Sequence, residues 1–211
     1  VRPGRDAIGV NFARLLDAFY PPTCVGCRSR GLALCEACRP RRSERARFAR
    51  SGLDVVAVAA YSGSFRRAIL AFKRGRRDAI GPLADLLSES LAAADVSWDT
   101  VIVPVPTSRG RALARGFDQG VALARELALR DGRPVLVALR KRSRDPQRGR
   151  SRIERLRATN RFAVVAPSLV AGAGVVLVDD VVTTGATLAD CAAALTASGA
   201  CVRGAFVLAH A

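Results

Sequence analysis

Residues 175–187 read Val-Val-Leu-Val-Asp-Asp-Val-Val-Thr-Thr-Gly-Ala-Thr. Val175 to Val178 form a short apolar, mostly β-branched run, the pattern of a strand buried on both faces. Asp179 and Asp180 fall where that strand should end. The loop Thr183, Thr184, Gly185, Ala186 and Thr187 then opens a helical pattern beginning near Leu188. Small hydroxylated residues and a glycine at a helix N-terminus make a phosphate cradle, because free backbone N–H groups and the positive end of the helix dipole converge there. The acidic pair repels that same phosphate, so it should face sugar hydroxyls or a magnesium ion. A phosphate on one side and a diol on the other describe a ribose 5-phosphate. Taken singly, an Asp pair can cap a helix and a Thr-Gly loop can be an ordinary turn. The ordered string is what carries the weight.

Outward from this stretch, apolar runs and helical stripes alternate. The pattern predicts strands at 54–61, 101–105, 135–139, from Phe162, and at 201–208. It predicts helices at 65–73, 81–94 (with Leu83, Leu86, Leu87 and Leu91 on one face), near 117–130 and at 188–198. That order argues an α/β, doubly wound, mainly parallel sheet. Ligands of such sheets bind at the carboxyl ends of strands, where Asp179 and the loop after Val105 both belong. Ile8, Phe12, Leu15, Leu16 and Phe19 mark a further helical stripe, stopped by Pro21 and Pro22.

The chain of 211 residues has a net charge of +16, almost all of it arginine, since its only lysines are Lys73 and Lys141. Arg in place of Lys fits a GC-rich genome, but that exchange does not itself create a cationic excess. A surface this basic should attract polyanions, nucleic acid included. Aromatic residues make up only 5%, too few for an evident single-strand stacking platform. No apolar run reaches the roughly 18–20 residues of a membrane span. Without a charged-then-apolar leader, the cytoplasm is the default expectation.

Cys24-Val-Gly-Cys27 and Cys35-Glu-Ala-Cys38 are two CxxC pairs. Each pair can place two thiolates on one metal, and four complete a tetrahedral structural zinc site with no open position for catalysis. Gly26 should help the first knuckle turn tightly. Disulfides are the alternative, disfavoured in a reducing compartment. Residues 39–50 read as a basic, solvated connector. Cys191 and Cys201 read as buried small hydrophobes, and His210, one residue from the C-terminus, as a frayed end.

Two more stretches suit an anionic ligand. Pro104-Val-Pro-Thr107 with Ser108, Arg109, Gly110 and Arg111 follows a buried strand and offers N–H and guanidinium groups to a pyrophosphate. Arg115 follows closely. The basic stretch 140–161 could close over the ligand as a hood, or stay a basic loop.

The string Asp-Asp-x-x-Thr-Thr-Gly-x-Thr resembles the phosphoribosyl pyrophosphate signature of type I phosphoribosyltransferases. The resemblance puts the ribose hydroxyls on the catalytic pair Asp179 and Asp180 and the 5-phosphate on Thr183, Thr184, Gly185, Ala186 and Thr187. It puts the pyrophosphate with magnesium on Thr107, Ser108, Arg109 and Arg111, together with Arg115. Adding the four-cysteine knuckle, Tyr61-Ser-Gly63, Arg67-x-x-Leu70-x-x-Phe-Lys73, Pro104-Val-Pro106, Arg115-Gly-Phe117-x-Gln119, Gln147 and Glu154-Arg155, residues 20–208 resemble the ComF family. Members of that family are linked to DNA uptake during natural transformation. Asp118 stands where the family usually has Asn, and Arg150 where Leu is usual. The resemblance implies two units: residues 1–50 with the zinc knuckle and basic connector, and a phosphoribosyltransferase-like domain over 51–211. It leaves two readings open. One is a phosphoribosyltransferase that uses phosphoribosyl pyrophosphate, magnesium and an unassigned acceptor, with structural zinc. The other is a non-catalytic accessory protein that binds single-stranded DNA or the uptake machinery. The sequence is silent on oligomeric state, although dimers are common in the resembled superfamily, which leaves a homodimer open.

Overall fold

Strand β6 (Gly174–Val182) organises the computed structural model, which describes residues 21–107, 118–142 and 161–211. On one side β6 pairs in parallel with β7 (Cys201–His210), and on the other with β3 (Val101–Pro104). Strand β2 (Leu53–Ala60) adds in parallel beyond β7, and β1 (Ala46–Arg50) closes that edge antiparallel to β2, giving the order β1-β2-β7-β6-β3. Val175 to Val178 are fully buried, as are Ile102, Val103, Ala205, Val207 and Leu208. A continuous apolar run is what a strand covered on both faces requires.

Alternation along the strands sorts these side chains into two cores. Val56, Val58, Ile102, Val176, Val178 and Leu208 meet α1 (Gly63–Lys73), α2 (Ile80–Ala92) and α3 (Gln119–Asp131) through Phe72, Leu87, Leu123 and their neighbours. Val55, Ala57, Val103, Val175, Leu177 and Val207 meet α5 (Ala186–Thr196) through Leu188, Cys191 and Leu195. Each fully buried Leu or Ile is worth roughly 1.5–3 kcal/mol, so these faces, rather than helix propensity, fix where the helices lie. Helix α4 (Pro167–Val170) is a single turn that buries Val170 in the second core. Among the described residues no helix is long and apolar enough to cross a membrane.

The structure corrects several expectations. Strand β6 does not end before Asp179. Pairing with β3 stops at Val178, while pairing with β7 continues to Val182 opposite His210. The expected strand 135–139 is one parallel bridge from Val135 to Ile102. The chain then leaves the sheet, and β4 (Leu139–Lys141) forms a separate antiparallel ribbon with β5 (Phe162–Val164). The basic connector contains β1, whose Phe48 turns inward while Arg47 and Ala49 face out. Ser51 and Gly52, with φ of 52° and 77°, make the tight turn from β1 to β2, the geometry of a type I′ hairpin. Cys191 is buried as expected, but Cys201 is exposed at the start of β7. His210 is not frayed: it ends β7 with its ring edge-on to Phe48, centroids 5.6 Å apart. The helical stripe at 8–19 and the stretch 143–160, with Gln147, Arg150, Glu154 and Arg155, lie outside the described residues.

Candidate functional site

Because successive residues of a strand point to opposite faces, the acidic pair is split across the sheet. Asp180 shares the side of Val176 and Val178, where α1 ends, and its Oδ1 lies 2.9 Å from Lys73 Nζ. Asp179 shares the side of Val175 and Leu177, facing α5. Burial, reinforced by the Asp180 charge, pushes the Asp179 carboxyl up to about 7. The Asp180 N–H, donating to Asp179 Oδ1 at 2.8 Å, and the more distant Lys73 pull the other way. Burial also raises the neighbouring Cys191 thiol, helped by the charges of Asp179 and Asp190.

The loop after β6 reaches α5 through Gly185, which is buried at φ 79° in the left-handed region. There a Cβ costs roughly 1–2 kcal/mol, and here it would also overlap the Arg50 side chain packed against it. Thr183, Thr184 and Ala186 are exposed and Thr187 half-buried. Thr184 Oγ1 accepts from the Ala186 N–H at 3.4 Å, and Ser51 Oγ donates to the Thr184 carbonyl at 3.3 Å. The β1–β2 turn is thus tied to the loop.

The end of β3 lies beside the pair: Val105 N–H donates to the Val178 carbonyl at 2.9 Å, and Thr107 follows two residues on. Ser108, Arg109, Arg111 and Arg115 lie outside the described residues. Asp118 caps α3, accepting from the Val121 N–H at 3.2 Å. An N-cap oxygen serves equally from Asp or Asn. Gln119 is buried and donates to the Phe72 carbonyl at 2.8 Å. A Cβ on Gly120 would come within 2.9 Å of the Val105 carbonyl, so α3 presses directly on the β3 end.

Sequence reasoning did not assign Lys73, Arg50 or Ser51 to this site. For Lys73 a signal existed, since it is one of two lysines in a chain that otherwise uses arginine. A compact ammonium suits a single carboxylate oxygen, whereas a guanidinium favours bidentate pairing.

The four Sγ atoms of Cys24, Cys27, Cys35 and Cys38 all lie within 4.8 Å of one another. Backbone N–H groups of Gly26 and Cys35 both donate to Cys24 Sγ at 3.4 Å. Burial alone would raise the Cys24 thiol, but those N–H groups and that of Cys27 outweigh it and bring it down to about 6. Cys38 moves the opposite way, to about 12, through burial and the neighbouring thiols. Four such sulfurs without a cation cannot all ionise together, and a divalent thiophilic ion removes that conflict. The donor set therefore fits zinc. Gly26 is needed for space rather than for turning, because a Cβ there would stand 2.8 Å from Cys38 Sγ. Arg67 Nε donates to the Gly26 carbonyl at 2.6 Å and Arg76 Nη2 to the Thr23 carbonyl at 3.1 Å, tying the knuckle to α1 and to the turn beyond its C-terminus.

A family model described as phosphoribosyl transferase domain matches residues 83–211. No curated protein matches. Among solved structures, the chain is similar to the allosteric regulatory enzyme of purine biosynthesis (20% identity, TM-score 0.46, covering 66% of this chain and 29% of that one). It is similar to glutamine phosphoribosylpyrophosphate amidotransferase from B. subtilis (21%, TM-score 0.46, 66% and 30%). It is also similar to adenine phosphoribosyltransferase from Saccharomyces cerevisiae (20%, TM-score 0.41, 82% and 88%). The chain thus spans less than a third of the length of the first two. The cysteine knuckle, β1, β2 and α1 all precede the matched region.

Proposed function

The chain belongs to the phosphoribosyl transferase domain family, and from that premise we propose a ComF-like protein that binds phosphoribosyl pyrophosphate with magnesium at the end of β6. The observation that carries this reading is the acidic pair at the point where β3 leaves β6, followed by left-handed Gly185 at the start of α5. Exposed Thr183 and Thr184, with Thr187 and the N–H groups at Gly185 and Ala186, would take the 5-phosphate. Asp179 and Asp180 would accept from the ribose hydroxyls. Thr107, with Ser108, Arg109, Arg111 and Arg115, would take the pyrophosphate. Magnesium, when bound with it, would supply charge neutralisation. In turnover the bond from the anomeric carbon to pyrophosphate breaks, the electron pair leaves with pyrophosphate, and an acceptor nucleophile forms the new bond. The chain's part is to position the sugar and stabilise charge. Zinc held by Cys24, Cys27, Cys35 and Cys38 would be structural. The proposed division sets residues 1–50 against 51–211, with β1 of the first pairing into the sheet of the second. A role in DNA uptake and a homodimer belong to the same proposal.

A structure solved with phosphoribosyl pyrophosphate and magnesium tests it. The 5-phosphate is expected over Gly185 and the sugar hydroxyls at Asp179 and Asp180. Binding anywhere else would overturn the assignment.

A second reading, a nucleic-acid-binding accessory protein, is favoured by a groove of about 280 Å³ between the knuckle and α1, lined by Arg28, Arg67, Arg74 and Arg76. Replacing Arg28 and Arg74 by Gln should then weaken single-stranded DNA binding and flatten its salt dependence. Unchanged binding would remove that support.

A further inference from the structure

The loop 183–187 carries no basic side chain of its own, yet acidic residues flank it: Asp179 and Asp180 before it, and Asp190 on α5. Two of these charges are answered locally, Asp180 by Lys73 and Asp190 by Arg161. A third cationic residue meets the loop through its stem, and among the described residues no carboxylate pairs with it. Arg50, the last residue of β1, lays its stem across Gly185, with its Cβ 3.2 Å from where a Gly185 Cβ would stand. Its guanidinium sits 5.5 Å from the Phe48 ring centroid. Its Nε is buried with no hydrogen-bond partner. Next to it, Ser51 holds a left-handed φ of 52° and donates to the Thr184 carbonyl, fixing the turn against the loop.

We propose that Arg50 is a binding residue for the sugar 5-phosphate, a guanidinium that the edge hairpin delivers to a loop otherwise made of backbone N–H groups and hydroxyls. The inference rests on the phosphoribosyl reading of that loop and deepens it. A planar guanidinium matches phosphate oxygens with paired donors. The apolar stem over Gly185 keeps water off one side of the cradle and strengthens the attraction. β1 is then part of the ligand site although it lies outside the family-matched residues. Ser51 acts through the backbone of Thr184, as a positioning residue.

The test is calorimetry of Arg50→Met, which keeps the stem on Gly185, and of Arg50→Lys, which restores a charge. The probes are ribose 5-phosphate, phosphoribosyl pyrophosphate with magnesium, and inorganic pyrophosphate with magnesium. Arg50→Met should bind both sugar phosphates about tenfold or more weakly, leave pyrophosphate unchanged, and melt like the unmutated protein. Arg50→Lys should recover part of the loss. Equal affinities of Arg50→Met and unmutated protein for the sugar phosphates would overturn the role of Arg50 alone. An equal loss for pyrophosphate would also overturn it, as a general field effect. Absence of any phosphoribosyl pyrophosphate binding by the unmutated protein would sink the underlying reading, and Arg50's role with it.

Discussion

The cysteine knuckle draws every donor from residues 24–38, whereas the loop after β6 and its acidic neighbours meet cationic residues from α1, from the end of β1 and at Arg161 beside β5. Both gather charge that cannot sit together unaided. In the knuckle, neighbouring thiols help to force Cys38 up while backbone N–H groups bring Cys24 down, and with all four donors on one ion the proposed zinc unit should fail as a unit. At the loop, Lys73 and Arg161 each answer one carboxylate, so removing one residue should weaken the site by degrees. A local cluster is all-or-none, and a distributed one is graded.

The largest expected effect is therefore at the knuckle. Cys38→Ser should drop bound zinc from about one per chain to near zero, since structural zinc binding is itself folding free energy. Metal analysis with a thermal melt checks this, and retained zinc would break the contrast. Second, Gly185→Ala should cost about 1–3 kcal/mol in denaturant melts, combining the left-handed backbone with overlap on Arg50. It should also remove phosphoribosyl pyrophosphate binding. A third test sharpens the graded side. Lys73→Met should lower affinity roughly tenfold at neutral pH and move the pH at which binding sets in upward, because losing a nearby cation makes a carboxylate harder to ionise. Lys73→Arg should keep most of the affinity. An unshifted pH profile for Lys73→Met would separate Lys73 from the acidic pair.

The smallest effect concerns pH and stability. Burial raises the folded Asp179 carboxyl to about 7 from an ordinary 3.8, so the folded state holds that proton more tightly than the unfolded chain. Stability from this group is full below the ordinary value and lost as pH rises toward 7. Asp179→Asn should remove that decline. Denaturant melts of both proteins between pH 4.5 and 7.5 provide the comparison.

The same contrast explains what the sequence revealed. The clustering of the CxxC pairs and the strand, loop and helix from Val175 onward were legible because their patterns are local, and α2 was legible because Leu83, Leu87 and Leu91 recur at helical spacing. β1 was hidden because arginines at 45, 47 and 50 drew attention to charge, while Phe48 alone marked the inward face. Strand parity, applied to Asp179 and Asp180, predicts that the two side chains part across the sheet. Nothing in their spacing says that Lys73 waits on one side, because α1 is placed there by Ile69 and Phe72 in the core. The contact of Arg50 with Gly185 depends on how the edge hairpin meets the loop, which no local pattern encodes.

The central claim is that the acidic pair and the loop hold a ribose 5-phosphate. Calorimetry with phosphoribosyl pyrophosphate and magnesium, on the unmutated protein and on Asp180→Asn, tests it most directly. Saturable one-site binding, weakened about 10- to 100-fold by the substitution, is the result expected. No binding by the unmutated protein, or equal binding by both, would contradict it.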